Sequence, residues 1–161
     1  MTESIQRGFS LMSTLIVLGV VGLLSTIAYP SYLDYVDRAR TAQAIADIGR
    51  ISLAVERFRA GSVTDSLPVT LEDIGYGDML DPWGNPYAFL NIGTVDGNGP
   101  LRKDHERVPI NSDYDLYSMG KDGSTETPLT STHGRDDVVR GLNGSFLGAA
   151  KDFSRNPGNG G

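Results

Sequence analysis

The sequence predicts an α+β fold in which one long N-terminal helix packs on a small antiparallel β-sheet. An uncharged apolar run begins at Phe9 and meets no charge before Asp34, which is typical of a membrane helix. Apolar residues then recur at helical spacing as far as Phe58. After Gly61 the chain changes to short apolar pieces separated by Gly, Pro, Asp and Asn, which indicates short strands joined by turns.

The composition fits one small domain attached to one apolar anchor. The chain has 161 residues, 39% of them hydrophobic, and a mean hydropathy of −0.20, which is too polar for a protein that crosses a membrane several times. Its net charge is −6, and no cluster of Lys or Arg follows the apolar run, so we expect no nucleic-acid partner. The sequence contains no Cys, so packing, assembly or a metal ion must stabilise the domain.

The apolar run and the helical pattern after it predict one continuous helix. Phe9 to Tyr29 is long enough to cross a bilayer, because about 20 helical residues at roughly 1.5 Å each span the hydrocarbon core. Pro30 lies inside the pattern, where we expect it to kink the helix, and Gly61 is a suitable end. The alternative is two helices with a turn at residues 29–31. The apolar face predicted to pack on the core consists of Ile45, Ile48, Ile51, Val55 and Phe58.

The N-terminus allows three interpretations. It is a cleaved secretory signal with its cleavage site at residues 26–28, or a simple signal anchor with Arg7 kept in the cytoplasm. The third interpretation depends on the string Gly8-Phe9-Ser10-Leu11 together with Gly22 and Pro30. These residues resemble the prepilin N-terminus of type IV pilins and type II secretion pseudopilins. The resemblance implies that a prepilin peptidase cuts between Gly8 and Phe9, methylates Phe9 and leaves the apolar helix as an anchor.

One position departs from this family. The family usually has a Glu four residues after the new N-terminal Phe, where it is thought to pair with the amino terminus of the neighbouring subunit, and this chain has Ser13. The departure favours a minor, tip or specialised subunit over an abundant one. Alternatively, hydrogen bonds of Ser10, Ser13 and Thr14 replace the ion pair.

Two strings in the second half of the chain narrow the resemblance. Residues 81–87 read DPWGNPY and lead into a predicted strand at 87–92, and residues 115–123 read DLYSMGKDG, with a second predicted strand at 115–119. A third short strand is predicted near residues 145–147. Both strings resemble the major, G-type pseudopilin of type II secretion systems. Residues 98–108 and the Gly-rich tail from residue 154 lie outside the resemblance, and the tail is predicted to be disordered.

The resemblance implies a calcium site after the second predicted strand. Calcium prefers six to eight oxygen ligands from carboxylates and backbone carbonyls. The ligands that transfer to this chain are the carboxylates of Asp122, Asp136 and Asp137 and the backbone carbonyls of Leu116 and Ser118. Alternatively, Asp122 belongs only to a turn, and Asp136 and Asp137 form a solvated ion-pair cluster with Arg135 and Arg140 or start a helix. The spacing does not fit an EF-hand.

Catalysis has little support in the sequence. His105 and His133 are isolated, no Cys is present, and no serine has a G-x-S-x-G context. The protein is therefore predicted not to be an enzyme. Trp83 is predicted to anchor the core beneath its turn.

Together these observations predict a subunit of a periplasmic pseudopilus that supports protein export by a type II secretion system. The alternatives are a major or minor type IV pilus subunit, and an anchored or secreted binding domain unrelated to filaments. The predicted organisation is a leader (1–8), an assembly helix (9–30), its amphipathic half (31–61), a β head (62–153) and a tail (154–161). Predicted partners are prepilin peptidase, other copies or other pseudopilins, the assembly platform, and the inner membrane, crossed once with the head in the periplasm.

Overall fold

The computed structural model describes residues 11–155. Helix α1 runs from Leu11 to Gly61 without a break and contains Pro30, so the prediction of one continuous helix is confirmed and the alternative of a turn at residues 29–31 is wrong. The chain divides into two compact units, of which the first ends at Arg38 and the second begins at Ala39. Within the described residues, α1 is the one helix long and apolar enough to cross a membrane.

The second unit contains a four-stranded antiparallel sheet whose strands neighbour one another in chain order. The strands are β1 (Ala88–Asn91), β2 (Tyr114–Ser118), β3 (Val138–Gly141) and β4 (Phe146–Ala149), and a single helical turn, α2 (Ala150–Phe153), follows the last strand. The predicted α+β fold is therefore confirmed. Three strands correspond to predicted ones, with ends shifted by one or more residues, whereas β3 was not predicted.

One face of the sheet packs against α1. Ala44, Ile48, Ile51 and Val55 are fully buried and form one hydrophobic cluster with residues of β2 and β3. Their spacings of four, three and four residues place them on one side of the helix. Phe58 was predicted to join this face, but it remains 38% exposed near the end of the helix.

The other face of the sheet carries a second, smaller cluster around α2. It contains Val139, Ala150 and Phe153, and the rings of Phe146 and Phe153 meet edge to face with centroids 5.0 Å apart. Val138 belongs to the first cluster and Val139 to the second, because successive side chains of a strand point to opposite faces. The sheet is therefore covered on both sides, which explains why β3 is buried throughout.

Candidate functional site

The apolar half of α1 forms a long exposed hydrophobic surface. Residues 11–35 are all exposed, and Leu11, Leu23 and Ile27 reach 78%, 72% and 74% exposure. An apolar surface of this extent is unfavourable in water, so lipid or the helices of other subunits must cover it.

Three hydroxyl groups within this surface are hydrogen-bonded to the helix itself. The hydroxyls of Ser25, Thr26 and Ser31 each donate to the backbone carbonyl four residues earlier, at 2.8, 2.9 and 3.1 Å. This arrangement lets a hydroxyl lie in an apolar environment at low cost. Ser13 is exposed on the same helix, and the first turn of α1 contains no acidic residue. The predicted cleavage residues Gly8 and Phe9 lie outside the described residues.

Three tyrosines mark the end of the apolar surface. Tyr29, Tyr32 and Tyr35 are 66%, 64% and 68% exposed and flank Asp34, the first charged residue after the run. Tyrosines are enriched where a membrane helix meets the headgroup region, because the ring is apolar and the hydroxyl is polar. These tyrosines were not predicted from the sequence, although their position next to the first charged residue indicates a membrane boundary.

The two strings that carry the pseudopilin resemblance are joined by a buried carboxylate. Oδ1 of Asp81 accepts hydrogen bonds from the backbone N–H of Trp83 and Asn85, at 3.0 and 2.8 Å. The hydroxyl of Ser118, at the end of β2, donates to the other carboxylate oxygen, Oδ2. The Asn85 amide donates to the Gly120 carbonyl at 3.3 Å. The turn before β1 is thus attached to the loop after β2, and Trp83 packs against the first core cluster as predicted.

Asp136 shapes the loop that follows β2. Its Oδ2 atom accepts the backbone N–H of Lys121 at 2.9 Å and of Asp122 at 3.1 Å. Gly120 has a φ of +65°, and a Cβ at this position would lie 2.5 Å from the Asp136 carbonyl oxygen. The close approach of the two backbone segments therefore requires glycine at position 120.

Asp122 is paired with a histidine on the surface of the same loop. Its Oδ2 lies 2.9 Å from Nδ1 of His133, and its Oδ1 accepts the Ser124 N–H at 2.8 Å. The hydrogen bond between the side chains lowers the pKa of Asp122 and raises the pKa of His133. Asp122 thus already has a partner that carries positive charge when protonated.

Asp137 differs from Asp122 and Asp136 in being fully buried. Its Oδ2 accepts hydrogen bonds from the Arg102 guanidinium and, at 2.6 Å, from the Thr125 hydroxyl. Burial raises the pKa of Asp137 to about 6, although the charge of Arg102 and the hydrogen bond of Thr125 act in the opposite direction. The proposed local pairing of Asp137 with Arg135 or Arg140, or a helix start, is wrong, since Asp137 immediately precedes β3 and Arg140 pairs with Asp113.

The described arrangement does not fit one ion held by all five predicted groups. Leu116 and Ser118, whose backbone carbonyls were predicted as ligands, belong to β2, where they pair with residues of β1 and β3. Each of the three carboxylates is already engaged with a different partner. Among residues 11–155, no group of three or more His, Asp or Glu side chains is placed to hold a metal. Calcium binding stays a prediction for Leu116, Ser118, Asp122, Asp136 and Asp137.

Gly120→Ala is expected to destabilise the head more than Gly84→Ala. Both glycines have positive φ, which costs about 1–2 kcal/mol for alanine, but only at position 120 does the new methyl meet neighbouring backbone. The clash adds about 1–3 kcal/mol to the loss of unfolding free energy. Urea unfolding of the full chain in detergent measures both losses, and equal losses would show that Asp136 does not fix the loop.

Similarity to known proteins agrees with this architecture. The chain is 28% identical over 137 residues to type II secretion system core protein G of Pseudomonas aeruginosa, covering 73% of this chain and 85% of the relative. It is 24% identical over 147 residues to the protein of the same name in Escherichia coli K12, with coverages of 78% and 90%. No protein-family model and no solved structure matches the chain.

The chain also resembles a pilus protein. It is 30% identical over 132 residues to type IV major fimbrial protein FimA of Dichelobacter nodosus, covering 79% of this chain and 76% of the relative. The long helix on an antiparallel sheet, the exposed apolar half of that helix and these similarities over most of the chain all agree. The chain therefore belongs to the type IV pilin-like family, in which it matches the G-type pseudopilins and the fimbrial proteins.

Proposed function

We propose that this protein is a structural subunit of the pseudopilus of a type II secretion system. Two observations together support the proposal. The apolar surface of α1 is not covered within its own unit, and the chain is similar over most of its length to proteins named type II secretion system core protein G. A subunit of this kind supports export across the outer membrane by assembly rather than by catalysis.

Assembly exchanges one apolar environment for another. In the membrane the exposed face of α1 is covered by lipid, and in a filament it is covered by the helices of neighbouring subunits. The hydroxyls of Ser25, Thr26 and Ser31 need no new partner in either environment, because the helix already satisfies them. The transfer is therefore nearly balanced in free energy, and an external motor determines its direction.

The proposed location is the inner membrane, crossed once, with the head in the periplasm. Tyr29, Tyr32 and Tyr35 then lie at the periplasmic headgroup level. The partners are a prepilin peptidase, other copies or other pseudopilins, and the assembly platform of the secretion system.

A type IV pilus subunit is the second candidate, favoured by the similarity to the fimbrial protein of Dichelobacter nodosus. Deletion of the gene in its own host separates the two functions. The proposed function predicts that exported enzymes accumulate in the periplasm while surface pili persist. Loss of pili with normal secretion would contradict it and support the second candidate.

Processing of the N-terminus is expected to leave Phe9 as the first residue. Co-expression with a prepilin peptidase followed by mass spectrometry of the purified chain should give N-methyl Phe9. The control is Gly8→Leu, which obstructs access to the peptide bond and should retain the leader. A mature start at Tyr29 would indicate an ordinary signal peptide, and an intact Met1 would indicate a simple anchor.

Ser13→Glu is expected to increase assembly. If the new carboxylate pairs with the amino terminus of a neighbouring subunit and contributes about 1.4 kcal/mol, the filament fraction in sheared or cross-linked samples rises about tenfold. Ser13→Gln introduces a side chain with nearly the shape of Glu but without its charge, and it should leave assembly unchanged. An equal response of both variants, or none, would show that no charge is missing at position 13.

A further inference from the structure

The segment before β2 inserts an arginine into the base of the loop for which calcium was predicted. Arg102 is 3% exposed and lies in residues 98–108, the part of the head outside the pseudopilin resemblance. Its backbone N–H donates to Asp115 Oδ2 at 3.0 Å. Next to it, Lys103 bonds through its backbone N–H to the Thr127 carbonyl at 3.0 Å and through its carbonyl to the Leu129 N–H at 2.9 Å. The arginine is therefore fixed on both β2 and the loop.

The Arg102 guanidinium has the kinds of neighbours that a bound cation has. Nη2 donates to the Asp137 carboxylate, and Nη1 donates to the Thr125 hydroxyl and, at 2.8 Å, to the Glu126 carbonyl. The ring of Tyr117 covers one side of the guanidinium, with 4.2 Å from the guanidinium carbon to the ring centroid. A carboxylate, a hydroxyl and a carbonyl are also the oxygen types that calcium takes as ligands.

We propose that the Arg102 guanidinium performs in this chain the structural task of a loop-bound calcium ion. It connects the loop at Thr125 and Glu126 to Asp137, the residue immediately before β3, so the head folds without calcium. A guanidinium is protonated at every relevant pH and does not dissociate, and its planar donors match several oxygens at once. A calcium ion at Asp137 would meet this fixed positive charge at close range, which opposes binding.

The remaining predicted ligands are consistent with this assignment. Asp136 accepts two backbone N–H groups of the loop, and Asp122 is bonded to His133. The loop is thus organised by hydrogen bonds at its tip and by the buried ion pair at its base.

The test is thermal unfolding of the full chain in detergent, with excess EGTA and with millimolar CaCl₂. The wild-type midpoint should be the same in both solutions. Arg102→Met should lower the midpoint by about 10 °C or more, because it leaves the Asp137 charge buried without its partner. Arg135→Met is the matched control, since Arg135 is exposed in the same loop, and its midpoint should change by less than about 3 °C.

Two further variants keep the test decisive if Arg102→Met does not fold. Arg102→Met combined with Asp137→Asn removes both charges and should fold, with a midpoint no more than about 5 °C below that of wild type. Arg102→Lys keeps the charge but not the planar donors, and it should melt between wild type and Arg102→Met while remaining insensitive to EGTA. A wild-type midpoint that falls by several degrees in EGTA would overturn the proposal. An Arg102→Met midpoint equal to that of Arg135→Met would overturn it as well.

Discussion

Buried polar contacts hold the long connections of this head in place. The chain has no cysteine, so no disulfide contributes. Two arginines supply several of these contacts, and both stack on tyrosines of β2. Arg140 lies 3.9 Å from the Tyr114 ring centroid and bonds to Asp113 at 2.7 Å, whereas Arg102 stacks on Tyr117. Since Tyr114 and Tyr117 are three residues apart in a strand, they point to opposite faces of the sheet. Each face therefore has its own stacked, carboxylate-paired arginine.

The net contribution of such a pair to the total stability is small. Taking a guanidinium and a carboxylate out of water costs several kcal/mol per ion, which their attraction only approximately offsets. Removing one partner, however, leaves a buried charge without compensation. Burying either Arg102 or Asp137 without the other would cost free energy. The position of the loop before β2 is therefore coupled to that of the loop after it.

The sequence was sufficient for the parts of the fold that depend on local patterns. The helix followed from the apolar run and from the spacing of Ile48, Ile51 and Val55, and β1 and β2 followed from their aromatic and aliphatic residues. Strand β3 was missed because Arg140 lies within it and two aspartates precede it, a composition that usually indicates exposed chain. Arg140 and Asp137 are paired with Asp113 and Arg102, which lie 27 and 35 residues away in the sequence. Pairing between residues so far apart produces no periodic pattern in the sequence. For the same reason Asp137 was placed with Asp122 and Asp136 in one predicted ligand set, without reference to Arg102.

The environment of Asp137 supports the proposal that its cation is a side chain of the protein and not a bound ion. Burial is the largest influence on this carboxyl group and raises its pKa to about 6 even with Arg102 beside it. Without a nearby positive charge, the pKa of Asp137 would rise further, so keeping this buried carboxyl group charged would cost more free energy. An exchangeable ion would keep the carboxylate charged only while the ion was bound, so the loop would depend on the ion concentration around it. A guanidinium supplied by residues 98–108 removes that dependence, because it is part of the folded chain and does not dissociate.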